Sequence, residues 1–115
     1  MLNLTPHTIV IQTKDGTRYI SPSGRVASVM TEEELLGTIT IDRAQVPVVR
    51  RHFCPVNGLP DSYGPDNPII VSSLVLEALK ASGASTAGVY APDTGSTAIR
   101  DDAGWVTAIT RLVTA

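Results

Sequence analysis

The residues of this chain that can do chemistry are Asp93-Thr94-Gly95, His7, the pair His52-x-Cys54, Ser72-Ser73, and the arginines beside turns. The Asp-Thr-Gly triplet suggests peptide hydrolysis, which needs two aspartates facing each other across a dimer axis and sharing one proton. Its context points elsewhere. Only residues 96–115 follow it, too little chain for flap strands and a second glycine motif, and Pro92 interrupts the strand that would deliver the aspartate. An Asp-led turn whose carboxylate caps its own backbone accounts for the triplet more simply. His7 follows Thr5-Pro6, where proline keeps the chain extended, and reads as a turn histidine rather than a general base. His52 and Cys54 share one face of a strand, but a zinc site needs further ligands at suitable spacing. Each serine near a glycine sits in a polar loop without an adjacent histidine or acid, so nothing resembles a nucleophile elbow. No catalytic residue, metal site or cofactor is expected.

Anion binding has better support. Ile69-Ile70-Val71 feeds Ser72-Ser73 into a helix start, which aims free backbone N–H groups and two hydroxyls at one point. Serine capping alone produces the same pattern. Arg25, Arg50, Arg51 and Arg100 each stand in or at the end of a strand next to a turn. Guanidinium forks bind phosphate bidentately, although a single such arginine serves a surface salt bridge equally well.

Short β-branched runs punctuated by turns must position these residues. Strands are expected at Thr8–Gln12, at Thr17–Ile20 after an Asp15-Gly16 turn, and at Arg25–Met30. Thr31 to Glu34 has capping-box spacing and predicts one helical turn closed by Gly37. Further strands are expected at Thr38–Ile41, Val46–Phe53, Ile69–Val71, Ala87–Tyr90 and Trp105–Val113, the last after an Asp101–Gly104 turn. Pro55 to Pro68 predicts a long irregular loop. Leu74 to Ala81, stopped by Gly83, is the one convincing helix. These elements predict a single α+β domain over 1–115: a mainly antiparallel twisted sheet or partial barrel with one α-helix.

Bulk composition narrows the function. At 115 residues the chain holds one core, with roughly 65% of the unfolded surface buried. Hydrophobic residues make up 43% and charged residues 17%, and excess apolar surface on a small domain predicts a homo-oligomer. A net charge of −2 with 4% aromatics offers neither the electrostatic footprint nor the stacking platform of a nucleic-acid binder, and no attraction to acidic membranes. One cysteine, and no apolar run of signal or membrane-span length, predict a cytoplasmic location.

The order of motifs is informative as a set. Leu2-Asn3-Leu4-Thr5-Pro6-His7 is followed by Ser21-Pro22-Ser23-Gly24-Arg25-Val26-Ala27, Pro47-Val48, Gly58-Leu59-Pro60, Ile70-Val71-Ser72, Pro92-Asp93-Thr94 and Arg100-Asp101-Asp102-Ala103-Gly104. This order resembles a family of small uncharacterised proteins of bacterial genomes, prophages and phages. The resemblance spans nearly the whole chain and brings no established activity. Small phage proteins include virion components, inhibitors of host proteins, and oligomers that sequester nucleotide immune signals. The leading expectation is a non-enzymatic oligomer of the last kind, binding a small anionic, nucleotide-like ligand in a host cytoplasm. Ser72 and Ser73 would contact phosphate, with Arg25 and Arg100 as charge partners. Asn3, Thr5 and His7 would supply hydrogen bonds, and Asp93 and Thr94 would meet ribose-type hydroxyls. The rival expectations are a phage structural or host-protein-binding module and a small hydrolase using Asp93 or His7.

Overall fold

A strand covered on both faces needs a continuous apolar run bounded by turn residues, and Ile69-Ile70-Val71 is the run that meets this need. A computed structural model describes residues 1–115. In chain order the elements are β1 (Leu2–Asn3), β2 (Ile9–Thr13), β3 (Gly16–Ile20), β4 (Thr31–Ile41), β5 (Ala44–Phe53), β6 (Ile69–Ile70), α1 (Ser73–Ala81), β7 (Val89–Pro92), β8 (Ile99–Arg100), β9 (Val106–Ala108) and β10 (Leu112–Val113). β6 lies between β1 and β7 and runs parallel to both, while β10 flanks β7 antiparallel to it. The ladder continues past the strand ends: Leu4 N donates to Ile70 O and Val71 N to Tyr90 O, each at 2.8 Å. Parallel neighbours need a crossover, and α1 supplies it between β6 and β7.

Alternation along β6 assigns its two faces. Ile69 and Val71 pack with Leu4, Val89 and Ala91 against Val75, Leu76 and Leu79 of α1. Ile70 points the other way, onto Ile9 and Ile109, with Ile11, Ile20 and Leu112 around them. The β2–β3 hairpin is joined to the chain beyond β9 by Gln12 N to Ile109 O, 2.9 Å, and Ile109 N to Val10 O, 2.8 Å. The central sheet is therefore covered by the helix on one side and by hairpin strands on the other. Segment 23–27 closes the outer flank of β1, with Ala27 N donating to Leu4 O at 2.9 Å.

The Pro55–Pro68 stretch holds no strand or helix, yet it is fastened. Ser28 and Asn57 exchange backbone hydrogen bonds of 2.9 and 2.8 Å, and Arg25 Nη2 donates to Leu59 O at 2.8 Å. Gly88, at φ +77°, lets the same stretch cross the entry to β7: a Cβ there would lie 2.2 Å from the carbonyl carbon and oxygen of Gly64.

Several local expectations need correction. Thr31 to Glu34 form no helical turn. They begin β4, because Glu33 meets Arg51 and Glu34 meets His52 across the strand pair, each at 3.0 Å. The connection to β5 is Asp42-Arg43, at φ 47° and 70°, the two positive values a type I′ hairpin turn requires. Arg25–Met30 is not a strand and pairs only at Ser28. The turn after β2 is Lys14-Asp15, one residue earlier than expected, with Gly16 opening β3. The C-terminal strand is two: β9 pairs with β8 and β10 with β7. The class is mixed α+β with one helix. The antiparallel pairs β2–β3, β4–β5 and β8–β9 are separate two-stranded sheets, the helix packs on a sheet whose β1, β6 and β7 are parallel, and no sheet closes into a barrel.

The β4–β5 hairpin stands away from this core. Neither strand holds a buried residue, and the radius of gyration is 17.5 Å where a compact chain of this length gives about 13 Å. No helix is long and apolar enough to cross a membrane.

Gly83 and Gly88 separate backbone strain from close approach. Both have φ near +78° (78° and 77°), but nothing lies within 4 Å of a Cβ at Gly83. Gly83→Ala is expected to cost about 1 kcal/mol and Gly88→Ala at least about 2 kcal/mol more, read by urea unfolding. Equal losses in the two variants would overturn the close-approach account.

Candidate ligand-binding cleft

Parallel strands deliver their following loops to one edge of the sheet, where open α/β sheets take ligands. Here that edge receives Thr5–His7 after β1, Ser72 after β6 and Thr94 after β7. These loops and the start of β2 enclose a cleft of about 380 Å³ with the stretch Val106–Ile109. Ile9, Val10, Val106, Ala108 and Ile109 give it an apolar wall, and Thr5, Thr8, Ser72, Thr94 and Thr107 give it hydroxyl-bearing side chains. His7 is its one imidazole, and no Asp, Glu, Lys or Arg lines it.

Each rim loop is set by a polar side chain behind it. Asn3 is 1% exposed. Its Nδ2 donates to His7 O (2.8 Å) and Ile20 O (3.0 Å), and its Oδ1 accepts from Thr5 N (3.0 Å) and Thr5 Oγ1 (2.6 Å). Both donors and both acceptor sites of the amide are thereby used. Asn3 shapes the Thr5–His7 loop and leaves nothing to offer a ligand. Arg100 does the same for the Thr94 loop: Nη2 donates to Thr94 O at 2.7 Å and Nη1 to Gly104 O at 2.8 Å. Asp93 accepts from Gly95 N at 3.0 Å and Thr97 Oγ1 at 3.3 Å, and it pairs with Arg111. The Arg111 hydrogen bond foremost, then the Gly95 amide, holds its carboxyl below the ordinary value of 3.8.

Ser72 is the N-cap of α1, and its Oγ accepts from Val75 N at 3.3 Å. The cap leaves the hydroxyl proton free to donate and the first helical amides directed out of the helix end. Thr5, His7, Ser72 and Thr94 thus meet at one cleft, while Asn3, Asp93 and Arg100 act behind its rim. Ser73 is the first helical residue and lies outside the cleft. Arg25 is also outside, engaged with Leu59. Thr8, Ile9, Val10 and Val106–Ile109 were not anticipated as site residues. The signal for them was the parallel crossover β6–α1–β7, since its carboxyl edge locates the cleft.

A larger concavity, about 760 Å³, lies between the root of β5 and the C-terminal half of α1. Phe53, Cys54, Val56, Leu59, Tyr63 and Leu79 dominate its lining. Arg51, His52, Tyr63 and Ser82 also border it, but Arg51 and His52 are engaged with Glu33 and Glu34, and it faces the end of α1 rather than its start, so the smaller cleft is the stronger candidate for an anion. No protein-family model, curated protein or solved structure matches the chain.

Two outcomes follow from the groups behind the rim. Asn3→Leu removes the amide donor from the carbonyls of His7 and Ile20 and the acceptor from the Thr5 amide and hydroxyl, and stability measured by urea unfolding is expected to fall by about 2–4 kcal/mol. Asn3→Asp is expected to recover little of it, because a carboxylate cannot donate to two carbonyls. Near-wild-type stability of either variant would remove Asn3 as the organiser of this loop. Asp93 has a lowered pKa in the folded state, so its stabilising effect is complete above about pH 4 and is lost as pH falls through the lowered value. Thermal melts from about pH 6 to about pH 2.5 should therefore show a steeper acid loss in wild type than in Asp93→Asn. Parallel profiles would refute the pairing.

Proposed function

We propose that this protein is a non-enzymatic, oligomeric binding protein that holds a small anionic, nucleotide-like ligand in the 380 Å³ cleft. The observation that carries the reading is the convergence of a capped helix start, His7 and several hydroxyls on one apolar-walled site at the carboxyl edge of parallel strands. A phosphate suits the helix N-terminus, sugar hydroxyls suit the threonines, and a base suits the wall of Ile9, Val106 and Ile109. The engagement of Asp93 with Arg111, Gly95 and Thr97 supports holding over hydrolysis, since a paired, ionised carboxylate is a poor proton shuttle. With the resemblance to small phage and prophage proteins, the reading extends to a phage product that sequesters a nucleotide immune signal in the host cytoplasm. Arg100 then contributes through the Thr94 loop, and Arg25 contributes nothing to binding.

Trp105, the only tryptophan, adjoins Val106 of the cleft wall and is exposed, so its fluorescence is a natural reporter. Native mass spectrometry with a panel of linear and cyclic nucleotides is expected to show intact nucleotide retained, one per cleft, with the titration followed by Trp105. Ser72→Asp keeps a good N-cap but sets a negative charge where the anion would sit, and should weaken binding by at least about 10-fold; Ser72→Asn keeps the cap neutral and should bind. Arg25→Ala should bind as wild type. Failure to retain any panel member, or equal affinity in Ser72→Asp, would sink the reading. Recovery of a cleaved nucleotide would replace it with hydrolysis.

A further inference from the structure

His7 is the one ionisable side chain that lines the cleft, and the chain holds its backbone but not its ring. Its carbonyl accepts from Asn3 Nδ2 at 2.8 Å and from Thr5 Oγ1 at 3.1 Å, and Pro6 narrows the backbone before it. The only histidine ring that hydrogen-bonds within this chain is that of His52, to Glu34. The His7 imidazole, with two nitrogens able to bond, is left for whatever occupies the cleft. The rest of the lining bears on the charge such an occupant can carry. Thr8 and the start of β2, Ser72, the Thr94 loop and Val106–Ile109 present hydroxyls and aliphatic groups. The charged groups behind the rim are engaged elsewhere: Asp93 with Arg111, and Arg100 with the carbonyls of Thr94 and Gly104. Neutral donors attract an anion in proportion to its charge, whereas the hydration it gives up grows with the square of the charge. Going from one charge to two therefore about doubles the gain and about quadruples the cost.

We propose, on the reading that the cleft holds a nucleotide, that it takes a singly charged phosphodiester in preference to a terminal phosphate, and that His7 tightens the hold as pH falls. A terminal phosphate carries about 1.5–2 negative charges at pH 7, and a phosphodiester carries one. With the imidazole neutral, the hydroxyls and outward amides can repay the desolvation of one charge more readily than of two. With the imidazole protonated, a charge-assisted hydrogen bond to the phosphate is added, so affinity is highest below the histidine range and is lost as pH rises through it. The cleft, at 380 Å³, lies near the low end of the about 300–1,000 Å³ of small-ligand sites, which suits one nucleotide unit.

Calorimetric titration with the 3′,5′-cyclic mononucleotides of A, G, C and U, and with the matching 5′-monophosphates, tests it, because each pair shares a base and differs at the phosphate. At about pH 8, where histidine is neutral, at least one cyclic form should bind about 10-fold or more tightly than its 5′-monophosphate. Between about pH 8 and about pH 5.5 the affinity for that cyclic form should rise about 10-fold. A phosphodiester does not titrate there, and Asp93, held below its ordinary value, stays ionised throughout. His7→Gln should remove the rise and bind as wild type does at the upper pH. His7→Lys, charged throughout, should bind at both pH values as wild type does at the lower. Both variants should melt as wild type, since Asn3 and Thr5 hold the carbonyl of residue 7 and not its ring. A 5′-monophosphate that binds as tightly as its cyclic partner overturns the charge preference and leaves the nucleotide reading standing. A rise that persists in His7→Gln overturns the part given to His7. Refusal of every one of these probes overturns the proposal, and the nucleotide reading falls with it only if the wider panel of linear and cyclic nucleotides is refused as well.

Discussion

The structure depends on burying β6 from both sides. Its side chains offer no polar group, so the strand gains everything from removal from water, and its backbone N–H and C=O groups must then be satisfied by neighbours. β1 meets this demand along one edge and β7 along the other. The consequence for function is geometric. Because all three strands run the same way, the residues that leave them arrive together: Thr5–His7, Ser72 and Thr94 come to one rim although they are far apart in sequence. Burial of a hydrophobic strand is what assembles a polar site.

Charge is used in this molecule as a strut more than as bait. Arg25 and Arg100 grip backbone carbonyls, Arg111 holds Asp93, and the acidic run of β4 meets its basic counterpart on β5. No Asp, Glu, Lys or Arg side chain lines the cleft. What remains there is the partial positive charge of a helix start beside apolar side chains, which keep the local dielectric low and strengthen each hydrogen bond made in it.

Local signals in the sequence were sound where the element makes its own case. Ile69-Ile70-Val71 and the helix that Ser72 caps could be read directly, because burial, periodicity and capping agree there. The capping-box spacing at Thr31–Glu34 misled, since a strand partner can override a local cap. The correction was legible in principle: Glu32-Glu33-Glu34 mirrors Arg50-Arg51-His52 about the Asp42-Arg43 turn, a hairpin pattern without the Asn-Gly or Asp-Gly signature. The parallel pairing of β1 with β6 leaves no trace in either segment, each being two residues long. In the site, the hydroxyls and His7 could be singled out by type, but the arginines could not be placed, because a guanidinium's partner is decided by the tertiary fold.

The parallel pairing also sets an order in time. Leu2 and Asn3 pair with Ile69 and Ile70, so the amino-terminal strand has no partner until more than half of the chain has been made. The β2–β3 and β4–β5 hairpins close between near neighbours, on the scale of about 1–10 μs, and are complete well before Ile69 leaves the ribosome. A nascent chain that ends between β5 and β6 therefore holds both hairpin sequences around an unfinished centre, with Leu4 and Ile9 still in water. The core condenses as a late event, and the rim loops acquire their positions only then.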